Sequence, residues 1–265
     1  MAVTINNAHV KNLNIGPTII TKGLVGRWDA ASARSYPRTG SVWYDLCQHQ
    51  NGSLVNMSDS NFLEDESGAS FVLDGTDEYI AIPSSDALNF GTGSFSVIMW
   101  IKISASALPE SDGGVYLIGK RGTGSLPGVP GWQIRAKQMS STAWQIIFVS
   151  VEDGTTAATI SAGEAISSDL WYMLSLRYNS DLTTLECYVN DDQNAYLNSS
   201  ATIGSISNST PLEVFGSSYI NGVNAGSAVE ALEGSISSLA IHQGVLSLAD
   251  IIGTYILTKD KHLNT

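Results

Sequence analysis

RSYPRTGSVWYDLCQHQNGSLVN, residues 34–56, mixes Pro, Gly and Asn with the adjacent aromatics Trp43 and Tyr44 and an apolar spine. Its apolar spacing is too irregular for an amphipathic helix, and its turn formers come too often for a single strand. Such a segment serves the elements on either side of it, so the flanks carry its meaning.

The flanks read as strands. SFSVIMWIKIS, WQIIFVSVEDG, WYMLSLRYNS, TLECYVNDD and SISSLAIHQG alternate apolar and polar residues, are rich in Val, Ile and aromatics, and end at Gly, Asn or Asp. In LWYMLSLRYNSDLTTLECYVNDDQ a strand over Trp171–Tyr178, a turn over 179–182 and a strand over Thr184–Asn190 make a hairpin. One stretch reads as helical, SLADIIGTYI from Ser247. Ser247 caps its first turn, and Asp250 near N3 sets a carboxylate at the positive end of the helix dipole. No Pro- or Ser-rich linker divides residues 23–257, and no repeat of about 20 to 50 residues appears. A single antiparallel sandwich with a short C-terminal helix fits this order.

Residues 1–22 differ, with weak alternation and many Asn until Gly16-Pro17 breaks the run. Two readings stay open: an extra edge strand of the sandwich, or an N-terminal arm that pairs with a partner chain. The expected layout is an arm or edge strand over 1–22, the sandwich over 23–257 and a C-terminal tail over 258–265.

Composition narrows the function classes. With 43% hydrophobic and 14% charged residues the 265-residue chain can bury a real core. Its formal charge of −12 repels phosphate backbones and anionic headgroups, so neither nucleic acid nor membrane is an expected partner. The N-terminus lacks a basic segment followed by an apolar one, which leads us to expect synthesis in a cytoplasm without a signal peptide. Cys47 and Cys187 lie far apart without CxxC spacing and read as free thiols, not a zinc or redox site. The sequons at Asn51, Asn56, Asn198 and Asn208 are chance matches in an Asn- and Ser-rich chain.

GLVGRWDAASARSYPRTGSVWYDLCQHQNGSLVNMS at 23–58, then FVLDGTDEYIAIP at 71–83, resembles the concanavalin A-like lectin/glucanase superfamily, specifically its laminin G-like jelly rolls. SFSVIMWIKI, the hairpin from Trp171 and LEGSISSLAIHQGVLSLADI are similar to that family's central strand, hairpin and closing strand with helix. The resemblance spans about residues 23–257 and implies an all-β, antiparallel jelly-roll sandwich. It also explains residues 34–56, since a jelly roll must cross from one sheet to the other and bury side chains as it goes. We expect Tyr36, Trp43, Tyr44 and Leu46 to form that local core. Pro37 and Gly40 would turn the chain, Asp45 would hold the loop through backbone amides, and Asn51-Gly52 would make a tight turn with positive φ. The SYP…G..WYDL…N variant looks particularly like laminin G-like proteins of tailed bacteriophages. That likeness implies a non-enzymatic virion surface protein, a capsid decoration or fibre-associated module assembled in the host cytoplasm and attached to other virion proteins by its arm, with homo-oligomers possible in principle. The alternative is a lectin module that recognises host-surface glycans.

Glucanases of this superfamily carry E-x-D-x-x-E or E-x-D-x-E, one carboxylate attacking while another protonates the leaving group. No segment here has that order, and GxSxG and a P-loop are also absent, so we expect no enzyme. Sugar binding needs an aromatic face and a few polar groups. The candidates are Tyr116, Trp132, Trp144 and Tyr219, with core packing an equal reading for Trp132 and Trp144. Laminin G-like domains often hold calcium, and the candidate ligands are Asp74 and Asp77 beside Glu78. The resemblance places Ser237 and Ser238 where further acids commonly stand, so calcium is expected to bind weakly or not at all.

Overall fold

A computed structural model describes residues 20–65, 68–107, 114–121, 129–140, 143–160, 165–192, 196–199, 203–216, 219–220, 223–224 and 231–262. In chain order the strands begin with β1 (Leu24–Asp29), β2 (Val42–Trp43), β3 (Gly52–Val55), β4 (Phe62–Asp65), β5 (Gly68–Asp74), β6 (Tyr79–Ile82) and β7 (Phe95–Ile103). They continue with β8 (Gly114–Arg121), β9 (Pro130–Ser140), β10 (Ala143–Asp153), β11 (Ala157–Ile160), β12 (Ala165–Ser167), β13 (Trp171–Asn179) and β14 (Thr184–Val189). Last come β15 (Tyr196–Ser199), β16 (Leu212–Val214), β17 (Tyr219–Ile220), β18 (Val223–Asn224), β19 (Glu233–Gln243) and the helix α1 (Leu248–Thr258).

Two antiparallel sheets stack face to face. The first runs β15-β14-β13-β7-β19-β5-β4 with β1 also on β19, and the second runs β11-β10-β9-β8-β16-β6-β3-β2 with β12 on β10. β5 and β1 share one edge of β19 in succession, Glu233–Ile236 pairing with β5 and Ser238–His242 with β1, and a bulge at Ser237 separates the two registers. Inward side chains such as Phe71, Met99, Leu176 and Leu239 from the first sheet meet Ile80, Ile118, Ile134 and Val214 from the second in one buried cluster. Gly75, in the turn that leads from β5 to β6, has φ +73°, and a Cβ there would lie 2.8 Å from the Glu233 nitrogen. Only glycine makes that change of sheet without strain.

β7 is buried along nearly all of its length. Val97, Met99 and Ile101 face the sandwich core, whereas Ile98 and Trp100 face outward into a second cluster with Trp171, Met173, Tyr188, Leu246, Ile251 and Tyr255. α1 supplies the cover. Its first turn is closed as its sequence predicts, with Ser247 Oγ accepting from the Asp250 nitrogen and the Asp250 carboxylate accepting from the Ser247 nitrogen. Each buried aliphatic or aromatic side chain in this layer contributes roughly 1.5–3 kcal/mol.

Of the expected tail, residues 258–262 are instead part of the body. α1 reaches Thr258, whose hydroxyl accepts from Trp100 Nε1 at 2.8 Å, and His262 is buried with its ring 4.4 Å from Trp100 and 5.0 Å from Trp171. Residues 1–19 of the expected arm lie outside the described residues, and Ile20 packs against the α1 cluster. The hairpin forms as expected, and Asn179 Oδ1 organises its turn by accepting from Asp181 and Leu182.

Candidate functional site

Residues 30–51 carry the chain from β1 in the first sheet to β2 and β3 in the second, which is the expected crossing. Its centre is Asp45. The buried carboxylate accepts from the backbone nitrogens of Arg27 at 2.8 Å, Cys47 at 2.9 Å, His49 at 3.0 Å and Gln50 at 3.2 Å. Charge-assisted bonds of this kind are about twice as strong as neutral ones. Ser35 makes the second tie: its hydroxyl donates to the Tyr44 carbonyl at 2.6 Å and accepts from the Asp29 nitrogen at 3.1 Å. Trp28 Nε1 donates to the Gln50 carbonyl at 3.2 Å. The loop is irregular, yet its backbone is tied to β1 and to itself as a strand would be to a sheet.

Tyr36 and Trp43 enter the core as expected, but Tyr44 does not. Trp43 closes β2 facing inward, so the next residue faces outward, and the Tyr44 ring is 43% exposed. Leu46 is half-buried. The expected positive φ at Asn51-Gly52 is likewise absent: Gln48 takes that conformation, with φ +64°. Gly52 is needed for a different reason, since a Cβ would meet Ile80 and Ile82 at 3.3 Å. Non-glycine residues in the left-handed region persist only where neighbours enforce them, and here the bonds from the Cys47, His49 and Gln50 nitrogens to Asp45 do so.

The exposed side of this loop forms an open concavity of about 400 Å³. Tyr44 is one wall, Arg34, Gln48, His49 and Asn51 are the polar rim, and Asp45 lies at the base. His49 Nδ1 lies 2.7 Å from the Val25 carbonyl, which can only accept, so Nδ1 is the donor and Nε2 is the acceptor of the neutral ring. Asn51 Oδ1 accepts from the Asp45 nitrogen at 3.0 Å, which leaves its NH2 to the rim. The neighbouring Cys47 thiol is pushed up by burial and then by the Asp45 charge, so it stays protonated and is a poor nucleophile. The arrangement can receive a ring face and hydrogen-bond its edges.

The sugar-contact residues expected from sequence lie elsewhere. Trp132 and Trp144 point into the sandwich core, 2% and 0% exposed. Trp132 packs on Phe95 at 5.4 Å, and Trp144 Nε1 donates to Ser168 Oγ at 3.1 Å. Tyr116 stands opposite Arg135 on β8 and is 3% exposed; its hydroxyl occupies the space where a Gly119 side chain would sit. None of the three offers a ring face to a ligand, because all are buried; alternation reveals that residues 132 and 144 share a side with their apolar neighbours but not that this side is the core. Tyr219 lies in β17, paired with Asn224, and its side chain lies outside the described residues. Arg34, Tyr44, Gln48, His49 and Asn51 went unremarked as a site, and the signal available was the inward Trp43 immediately before Tyr44.

The acids proposed for calcium do not converge. Asp74 Oδ1 accepts from the Thr76 nitrogen, Asp77 Oδ2 accepts from Asn56 Nδ2, and Glu78 is held by Asn61 Nδ2 and the Asp74 nitrogen. The β19 residue opposite Asp74 is Glu233, which binds the Ser104 and Ser106 hydroxyls. Ser238 stands five residues further on, roughly 16 Å along a strand. Among the described residues no three His, Cys, Asp or Glu side chains gather in one place.

The family profile described as concanavalin A-like lectin/glucanases superfamily matches residues 74–252. The chain belongs to this superfamily. Among solved structures, the binding domain of Paraclostridial Mosquitocidal Protein 1 superposes with a TM-score of 0.61 at 16% identity, covering 88% of this chain and 52% of that one. The binding domain of botulinum neurotoxin DC in complex with SialylT gives 0.57 at 14% identity, covering 91% and 52%. A Trypanosoma rangeli sialidase in complex with 2,3-difluorosialic acid gives 0.59 at 16%, covering 96% and 36%. This chain thus spans from about a third to about half of those chains, and the likeness is one of fold. No curated protein sequence matches it significantly.

Proposed function

We propose that the chain is a non-catalytic glycan-binding module that receives a saccharide in the concavity beside Tyr44. The observation that carries this reading is the exposed Tyr44, whose backbone carbonyl accepts from Ser35 in a loop held by Asp45, flanked by Arg34, Gln48, His49 and Asn51. Aromatic faces bind the apolar side of a pyranose, and pre-set polar groups around them fix its hydroxyls at little ordering cost. The lectin-like superfamily supports it. So do the two structural relatives that are binding domains, one of them described in complex with SialylT; the sialidases among the relatives leave an enzymatic reading to be tested by turnover of glycan substrates.

The test is binding of the labelled chain to an immobilised glycan panel, repeated with Tyr44→Ala. Tyr44 is exposed, so its removal leaves the fold intact, and binding should weaken at least about tenfold, or 1.4 kcal/mol. Undiminished binding by the variant places the site elsewhere. A virion-surface setting is proposed alongside, on the sequence pattern from Tyr36-Pro37 to Leu46. It predicts that deletion of residues 1–20 frees the module from particles without unfolding it.

A further inference from the structure

We infer that the concavity beside Tyr44 selects a carboxylated saccharide, with Arg34 as the residue that recognises the carboxylate; this rests on the glycan-binding reading of the same site. Arg34 is exposed at the rim and, among the described residues, forms neither a hydrogen bond nor an ion pair. Other arginines are committed: Arg27 pairs with Asp29 at 3.1 Å, Arg38 with Glu64 at 2.6 Å, and Arg177 with Glu186.

Asp45, which lines the same concavity, is not its ion-pair partner. Both Asp45 oxygens are taken up by backbone N–H groups from Arg27, Cys47, His49 and Gln50, so the carboxylate is spent on holding the loop. The rim is also rich in donors. Arg34 brings a guanidinium fork, Asn51 an NH2 whose oxygen is already engaged, and Gln48 an amide held outward on a left-handed backbone. His49 Nε2 is the acceptor among them and suits a sugar hydroxyl. A ring wall, a planar cationic fork and surplus donors match a pyranose that carries a carboxylate, because guanidinium binds carboxylate through two parallel hydrogen bonds. The chain as a whole carries −12 and repels anions, which makes an uncommitted local cation beside an aromatic wall the feature that admits one.

The experiment compares two ligand pairs, sialyllactose against lactose and a galacturonate oligosaccharide against its methyl ester, on the full chain, Arg34→Gln and Tyr44→Ala, by calorimetry at low and moderate salt. A carboxylated member should bind the full chain about tenfold more tightly than its neutral counterpart, the size of a good Arg–carboxylate pair. Arg34→Gln should erase that preference, and Tyr44→Ala should weaken both members. Equal binding of charged and neutral members, or a preference that survives Arg34→Gln, overturns the carboxylate assignment and leaves glycan binding standing. Tight binding of inorganic phosphate to the full chain, lost in Arg34→Gln, also overturns it, since the site would then be an anion site of no saccharide specificity. Absence of binding across the glycan panel as well overturns the glycan reading itself.

Discussion

Asp45 Oδ1 accepts the backbone N–H of Arg27 at 2.8 Å across 18 residues of chain, and so ties the crossing loop directly to a strand of the first sheet. The same oxygen accepts from Cys47, and its twin from His49 and Gln50. One buried carboxylate thereby fixes the loop whose outer surface presents Tyr44.

This arrangement makes Asp45 more sensitive to substitution than its loop position suggests. Asp45→Asn keeps one acceptor oxygen and replaces the other with a donor facing N–H groups. Stability should fall by about 2–3 kcal/mol, the scale of lost bonds to a charged group plus buried donors left unpaired. Urea unfolding measures it, and an unchanged midpoint would show that the ring of amides is not needed to hold the loop.

Lys120 gives a pH dependence. Its Nζ is buried and donates to Asn89 Oδ1 at 3.0 Å, the Asn208 carbonyl at 2.7 Å and Asn208 Oδ1 at 3.0 Å, all neutral acceptors. Burial lowers its pKa to about 8. In the unfolded chain the group keeps its proton to about pH 10.4. Between those values the unfolded state binds more protons, so this residue makes stability rise with pH across the window, while below pH 8 its penalty is constant. The stability of the native chain relative to Lys120→Met should therefore increase by about 2 kcal/mol from pH 7.5 to 10. A flat difference would show that water reaches the ammonium.

His262 closes the aromatic layer over the first sheet. Removing its ring uncovers one face of Trp100 and of Trp171. His262→Ala should cost about 1–3 kcal/mol in thermal or denaturant unfolding, whereas a residue in a free tail would cost nothing measurable.

Calcium should hardly change stability. Asp74 accepts from its own turn, Asp77 from Asn56, Glu78 from Asn61 and the Asp74 nitrogen, and Glu233 opposite is held by two serines. A ligand at one hundred times its Kd adds about 2.7 kcal/mol. Millimolar calcium against chelator should instead move the melting midpoint by less than about 2 °C; a larger shift that Asp77→Ala abolishes would revive a metal-assisted lectin.

The sequence by itself determined the parts whose signals are local. The hairpin at 171–189 follows from alternation on both sides of Asn179, and α1 begins where Ser247 and Asp250 can cap each other, because those bonds join residues three apart. An antiparallel sandwich was legible from the order of such segments, while the jelly roll and the role of Asp45 in the crossing came with the family resemblance. Only the tertiary structure decided which side of each strand is the inside. Alternation says that Trp43 and Tyr44 face opposite ways and that Trp132 and Trp144 face with their apolar neighbours, but it carries no sign. The sign came from the second sheet closing over Trp43, Trp132 and Trp144, and from α1 closing over Trp100 on the far side of the first. Exposure, and with it the choice of Tyr44 over Trp132 or Trp144 as a binding surface, belongs to how layers pack, since a side chain is removed from water by residues distant in sequence.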